Sequence, residues 1–128
     1  MAALTAINTI RLIGGSQRTL ATVAGSLHPL HYLPGIGDMI AGMLAPVAVY
    51  MLLRARRGGS TGVGRTFALA WNLYGFIDLV VAIIVAVAAP PADAAFRTPV
   101  LAFSFMAIHL LQLVLLNLRP VKLYYSAA

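Results

Sequence analysis

The sequence predicts an all-α integral membrane bundle of four transmembrane helices. Only 9% of its 128 residues are charged, where a soluble domain carries roughly 25%. Mean hydropathy is +0.91. The apolar residues also gather into runs long enough to cross a hydrocarbon layer about 30 Å thick at about 1.5 Å per residue.

The first segment, residues 2–25, is one-sided. Asn8, Arg11, Gly15, Arg18, Thr22 and Gly25 fall on one helical face, while Leu4, Ile7, Ile10, Leu20 and Val23 occupy the other. Such a helix spans if its polar stripe turns into a bundle, or lies flat at the interface. Spanning gives four membrane helices; lying flat gives three plus an interfacial one. The second helix, residues 36–53, starts just after Pro34. The third, residues 67–89, is the longest and stops at Pro90 and Pro91. The fourth, residues 100–118, is bracketed by Pro99 and Pro120, ordinary helix punctuation. Residues 58–64 are glycine-rich and predict a short flexible connection inside one domain of residues 1–128. They lack the lysine and the preceding strand of a P-loop.

Orientation follows from the basic residues. Arg54, Arg56, Arg57 and Arg65 flank that connection, and Arg119 and Lys122 follow the last helix, whereas residues 90–99 hold only Asp93 and Arg97 as charges. The positive-inside rule places the 54–65 loop and the C-terminus in the cytoplasm. Four spans bring the N-terminus there as well and put His28 and His31 outside. Tyr124 and Tyr125 are expected at the inner interface as an aromatic anchor. The cysteine-free, arginine-rich composition suits a bacterial inner membrane. No cleavable signal peptide is expected, since Arg11 is the first basic residue and no short apolar core with a small-residue cleavage site follows it.

Several chemistries are excluded. The net charge is +6, but the basic residues are scattered at helix ends and do not form a nucleic-acid face. The absence of cysteine removes disulfides and thiolate chemistry. No serine sits with a base and an orienting acid, and Ser104 and His109, five apart, do not share a helix face. His28 and His31 have only Asp38 nearby, short of the roughly four ligands of a structural metal site. No enzyme activity, metal or resident cofactor is predicted. A haem or pigment would have to be shared with another subunit, because the chain lacks a second mid-membrane histidine to pair with His109.

The candidate site is an intramembrane polar set: Arg11, Arg18, Asp38, Asp78, His109 and Gln112. Asp38 and Asp78 are two of three acidic residues, and there is no glutamate. A carboxylate in the hydrocarbon zone must be paired, wetted or neutralised. Matching depths predicts an inner layer of Arg11, Asp78 and His109 and an outer layer of Arg18 and Asp38. Asp78 shares its face with Trp71, Tyr74, Gly75 and Ala82; Asp38 shares one with Gly35, Gly42 and Ala45; His109 shares one with Phe105 and Gln112. Small residues beside a charge let a neighbouring helix approach. Asn72, Ser104 and Asn117 can extend the hydrogen bonding. Two readings of this set stand open: pairs that fix helix register, or a relay in which Asp78 and His109 titrate.

The run Leu33-Pro34-Gly35-Ile36-Gly37-Asp38 and the helix Trp71-Asn72-Leu73-Tyr74-Gly75-Phe76-Ile77-Asp78-Leu79 resemble bacterial multi-pass membrane proteins of no known activity. These carry Pro-x-Gly-x-Gly-Asp and Trp-Asn-x-x-Gly-x-x-Asp-Leu motifs. The resemblance covers about residues 10–118 and implies the fold without a mechanism. Such proteins usually have a further N-terminal span that is absent here, so the resemblance does not imply a self-sufficient bundle. The expected function is a non-catalytic accessory or scaffold subunit in the bilayer, assembled with other membrane subunits or with itself. The alternative is a small oligomeric transporter or proton-conducting protein.

Overall fold

The computed structural model describes residues 2–56, 61–93 and 99–124, and among them every regular element is helical. The expectations resting on Arg57, residues 58–60, Arg97 and Tyr125 fall outside these residues. The helices are α1 (Ala2–Ile7), α2 (Ile10–Val23), α3 (Tyr32–Arg56), α4 (Thr61–Ala88), α5 (Pro99–Asn117) and α6 (Arg119–Tyr124), with a 3-10 turn at Pro29–His31.

α1 and α2 form one rod from Ala2 to Val23, about 33 Å long. At the join, the amides of Asn8, Thr9, Arg11 and Leu12 bond to carbonyls three residues back, at 3.0–3.1 Å. These bonds carry the chain from α1 into α2 through a 3-10 tightening. The rod ends in a Schellman motif. Gly25 sits at φ 76, Ser26 N–H reaches Ala21 O at 2.8 Å and Gly25 N–H reaches Thr22 O at 3.1 Å. The left-handed position suits glycine, and the two bonds satisfy carbonyls that the helix end would orphan.

α3 begins earlier than the expected residue 36. The 3-10 turn feeds directly into it, so Pro34 lies in the first turn, where no intrahelical donor is required. α4 likewise starts at Thr61, so Gly62 and Gly64 are helical and do not belong to a flexible connection. Arg65 accounts for part of this extension. Its Nε donates to Leu116 O at 3.0 Å and its Nη2 to Asn117 Oδ1 at 3.1 Å, capping the end of α5. α5 stops at Asn117, before Pro120 as expected, and Pro120 itself falls in the first turn of the short α6, where proline is accommodated. Two helices, Pro29–Arg54 and Gly62–Ala88, are long and apolar enough to cross a membrane; the apolar helix Ala102–Asn117 is shorter.

The packing order is α2 on α3, α3 on α4 and α4 on α5, with α1 continuing along α3. Backbones approach closely between α2 and α3. A Cβ on Gly15 would lie 2.6 Å from Gly35 O and 2.7 Å from Met39 N, and one on Gly42 would lie 2.9 Å from Leu12 Cα. Between α3 and α4, Ala45, Ala48 and Trp71 form one small core, and Leu52, Ala68 and Leu116 form another near the other end. Trp71 Nε1 donates to Ala41 O at 3.0 Å, and its ring lies 5.1 Å from that of His109. Trp71→Phe is expected to cost about 1–2 kcal/mol, from the lost hydrogen bond and ring overlap. Reversible unfolding in mixed micelles, followed by circular dichroism, measures it.

Candidate functional site

The N-terminal rod is inside-out by the standard of a soluble protein. Its polar stripe is buried, with Thr5 at 1%, Asn8 at 0% and Arg11 at 3% exposure, while Ile10, Ile13, Leu20 and Val23 are 60–73% exposed. Of the residues read as one polar face, Asn8, Arg11 and Gly15 are buried, Arg18 and Thr22 are half-buried and Gly25 is exposed.

Arg11 is the hub of that interior. Its Nε donates to Asp38 Oδ1 at 2.7 Å, and its Nη2 lies 2.7 Å from the same oxygen. Nη2 also pairs with Asp78 Oδ2. Nη1 lies 3.0 Å from His109 Nε2 and 3.5 Å from Gly75 O. Every guanidinium nitrogen is engaged, and α2 is tied to α3, α4 and α5 through a single side chain. The planar five-donor fork of arginine can serve such divergent acceptors; an ammonium cannot.

The expected Arg11, Asp78 and His109 layer is present, but the expected Arg18–Asp38 pair is not. Asp38 belongs to Arg11 instead. Gly15 brings the α2 backbone onto Asp38 itself, whose Cβ lies 2.8 Å from the position a Gly15 Cβ would take. Arg18 turns its Nη1 to His31 Nδ1, at 3.2 Å. His31, read from sequence as an outer-loop residue, is 0% exposed. The 3-10 turn folds it under the bundle, where Nε2 lies 2.7 Å from Ala89 O, just past the last residue of α4. His28 remains exposed, and its Nδ1 accepts from Leu30 N–H at 3.3 Å.

Hydrogen-bond chemistry assigns the histidine tautomers. Arginine only donates, so His109 Nε2 must accept, and its Nδ1–H donates to Asn72 Oδ1 at 3.0 Å. Asn72 Nδ2 then donates to Ala68 O at 2.7 Å. By the same rule His31 Nδ1 accepts from Arg18, and Nε2–H donates to Ala89 O. Each arginine on the α2 face therefore meets a buried histidine whose other nitrogen is anchored. Both nitrogens of His109 are taken, so it does not fit the role of a haem ligand. Among the described residues no three of His, Cys, Asp or Glu are grouped to hold a metal ion.

Gln112 lies one turn beyond His109 and does not join the hub. It is fully buried and donates from Nε2 to Thr5 Oγ1 at 2.7 Å, tying α5 to α1. Gln112 Oε1 and Asn8 Oδ1 are buried without a hydrogen-bond partner. The sequence reading included Asn8 and Asn72 as polar helix residues but gave no part to Thr5 or to a buried His31. The former continues the i, i+3 polar spacing backwards from Asn8; for the latter no local signal exists, because its partners come from α2 and the end of α4.

Neither a curated protein nor a solved structure matches the chain. Residues 1–118 match the family described as Domain of unknown function (DUF8737), and the chain belongs to that family.

Proposed function

We propose that the chain is a small four-span membrane protein, a non-catalytic accessory or scaffold subunit of a larger membrane assembly. The single observation that carries this reading is the inverted rod of α1 and α2, with polar residues inside and Ile10, Ile13, Leu20 and Val23 outside. In water that arrangement exposes apolar surface without return; in lipid it is the favourable one. The rest of the outer surface agrees, since Val63, Ile77, Ile84, Val87, Phe103 and Leu110 are more than half exposed.

The hub supports a structural role. A guanidinium engaged at every nitrogen fixes the register of four helices at once, a documented use of buried ionic groups. No side chain in it is presented to a substrate as an activated nucleophile. The orientation we propose follows the positive-inside rule: Arg54 and Arg56 at the end of α3, Arg65 early in α4, and Arg119 and Lys122 beyond α5 favour the cytoplasmic side, in a bacterial inner membrane.

The test is purification of the native protein in a mild detergent. A defined set of membrane partners in fixed stoichiometry is the expected result. A monodisperse species containing this chain alone, which supports pH-dependent ion flux in liposomes, contradicts the scaffold reading.

A further inference from the structure

The hub is short of one positive charge. Asp38 and Asp78 both place a carboxylate oxygen on the same nitrogen, Nη2 of Arg11, so the two carboxylates lie close together. Arg11 supplies one permanent positive charge. His109 supplies none, because its Nε2 faces an arginine donor and must keep its lone pair. Side-chain exposure is only 1% for Arg11, 16% for Asp38 and 8% for Asp78, so water screens the excess charge poorly. Two carboxylates sharing one enclosed site do not both ionise freely; such pairs hold a proton between them.

We infer that the Arg11–Asp38–Asp78 hub is a binding site for one exchangeable proton, carried on its carboxylate pair. Asp78 is its resting place. Arg11 holds Asp38 Oδ1 with both Nε and Nη2 but holds Asp78 Oδ2 with Nη2 alone, so Asp38 is the better stabilised anion. Asp78 Oδ1 occupies the space that Gly37 leaves by having no Cβ. Asp38 is the more exposed of the pair.

Other groups facing the pair are few. α2 adds Arg18, half-buried and turned to His31. α4 adds Tyr74, whose hydroxyl donates to Gly37 O at 3.5 Å. α5 adds His109, and the 3-10 turn adds His31 behind Arg18. Among the described residues, Arg18 is therefore the one cation placed to compete with the proton.

The sequence makes the test unusually clean. Asp93 is the third and last acidic side chain, so an Asp93→Asn protein keeps only the hub carboxyls and the C-terminal carboxylate, which is ionised at neutral pH. Infrared difference spectra of that purified protein at neutral pH are expected to contain a protonated carboxylic-acid carbonyl band, equivalent to one group per chain. The band should vanish in Asp78→Asn and also in Asp38→Asn, since either change leaves one carboxylate for one arginine. Both substitutions keep side-chain shape, and the parent spectrum decides the matter even if one variant fails to fold. Absence of the band in the parent overturns the proposal. So does a band that survives Asp38→Asn, because that proton does not depend on the pair. A band that emerges only after Arg18→Gln identifies Arg18 as the missing counter-charge and also overturns it. The measurement is independent of whether the chain serves as a scaffold.

Discussion

Arg11→Leu is expected to destabilise the bundle by about 3–5 kcal/mol, the cost of removing one partner from a buried ionic set. The magnitude follows from what remains. Asp38 and Asp78 keep their enclosed positions but lose every contact to the guanidinium, and His109 Nε2 loses its donor. A domain stable by about 5–15 kcal/mol barely survives that loss. Arg11→Lys should recover only part of it, because one ammonium cannot reach acceptors on three helices. Combining Arg11→Met with Asp38→Asn and Asp78→Asn should restore most of the stability, since the uncompensated charges go with their partner. Unfolding in mixed micelles, read from the fluorescence of the single tryptophan, separates these variants. Equal stability of Arg11→Leu and the parent would show that the hub does not hold the helices together.

Two adjacent glycines supply the second large effect, with opposite signs. Gly15→Ala forces a Cβ to within 2.6 Å of Gly35 O and 2.7 Å of Met39 N. Both are backbone atoms and cannot swing away, so α2 must move off α3 and pull Arg11 from Asp38. A loss of about 3 kcal/mol, the upper part of the overpacking range, is expected. Gly14→Ala places its Cβ in open space, with nothing within 4 Å. It should stabilise by about 0.5–1 kcal/mol, because glycine is costly in a helix interior. The same unfolding assay measures both. Similar losses for the two variants would mean that α2 does not present residue 15 to α3.

Much of this arrangement is legible in the sequence. Apolar runs located the helices because length and hydropathy suffice for that, and the i, i+3, i+4 spacing of Asn8, Arg11, Gly15 and Arg18 marked the face that turns inward. The small residues beside Asp38 correctly pointed to a close helix neighbour, since Gly42 lies against Leu12 and Gly35 against Thr19. Depth alone could not say who pairs with whom. Sequence position alone matches Arg18 with Asp38, yet pairing is decided by rotation and approach: Gly35 lies against Thr19, and the tight Gly15 contact sets Asp38 within reach of Arg11. His31 was illegible for a different reason. A Pro-Leu-His turn reads as exposed loop, and only the tertiary fold brings Arg18 and the end of α4 to either side of it. Helix starts were the ends misplaced: α3 begins at Tyr32, fed directly by the 3-10 turn, and α4 begins at Thr61.

The account depends most on the rod of α1 and α2 crossing the membrane with its polar face inward. The chain contains no cysteine, so a cysteine introduced at Ala3 or at Ser26, both exposed in the fold, is a unique label. Intact cells treated with a membrane-impermeant thiol reagent should label the Ser26→Cys protein and leave Ala3→Cys unlabelled until the membrane is opened. Labelling of both positions from the same side would place the rod flat on the surface and contradict the account.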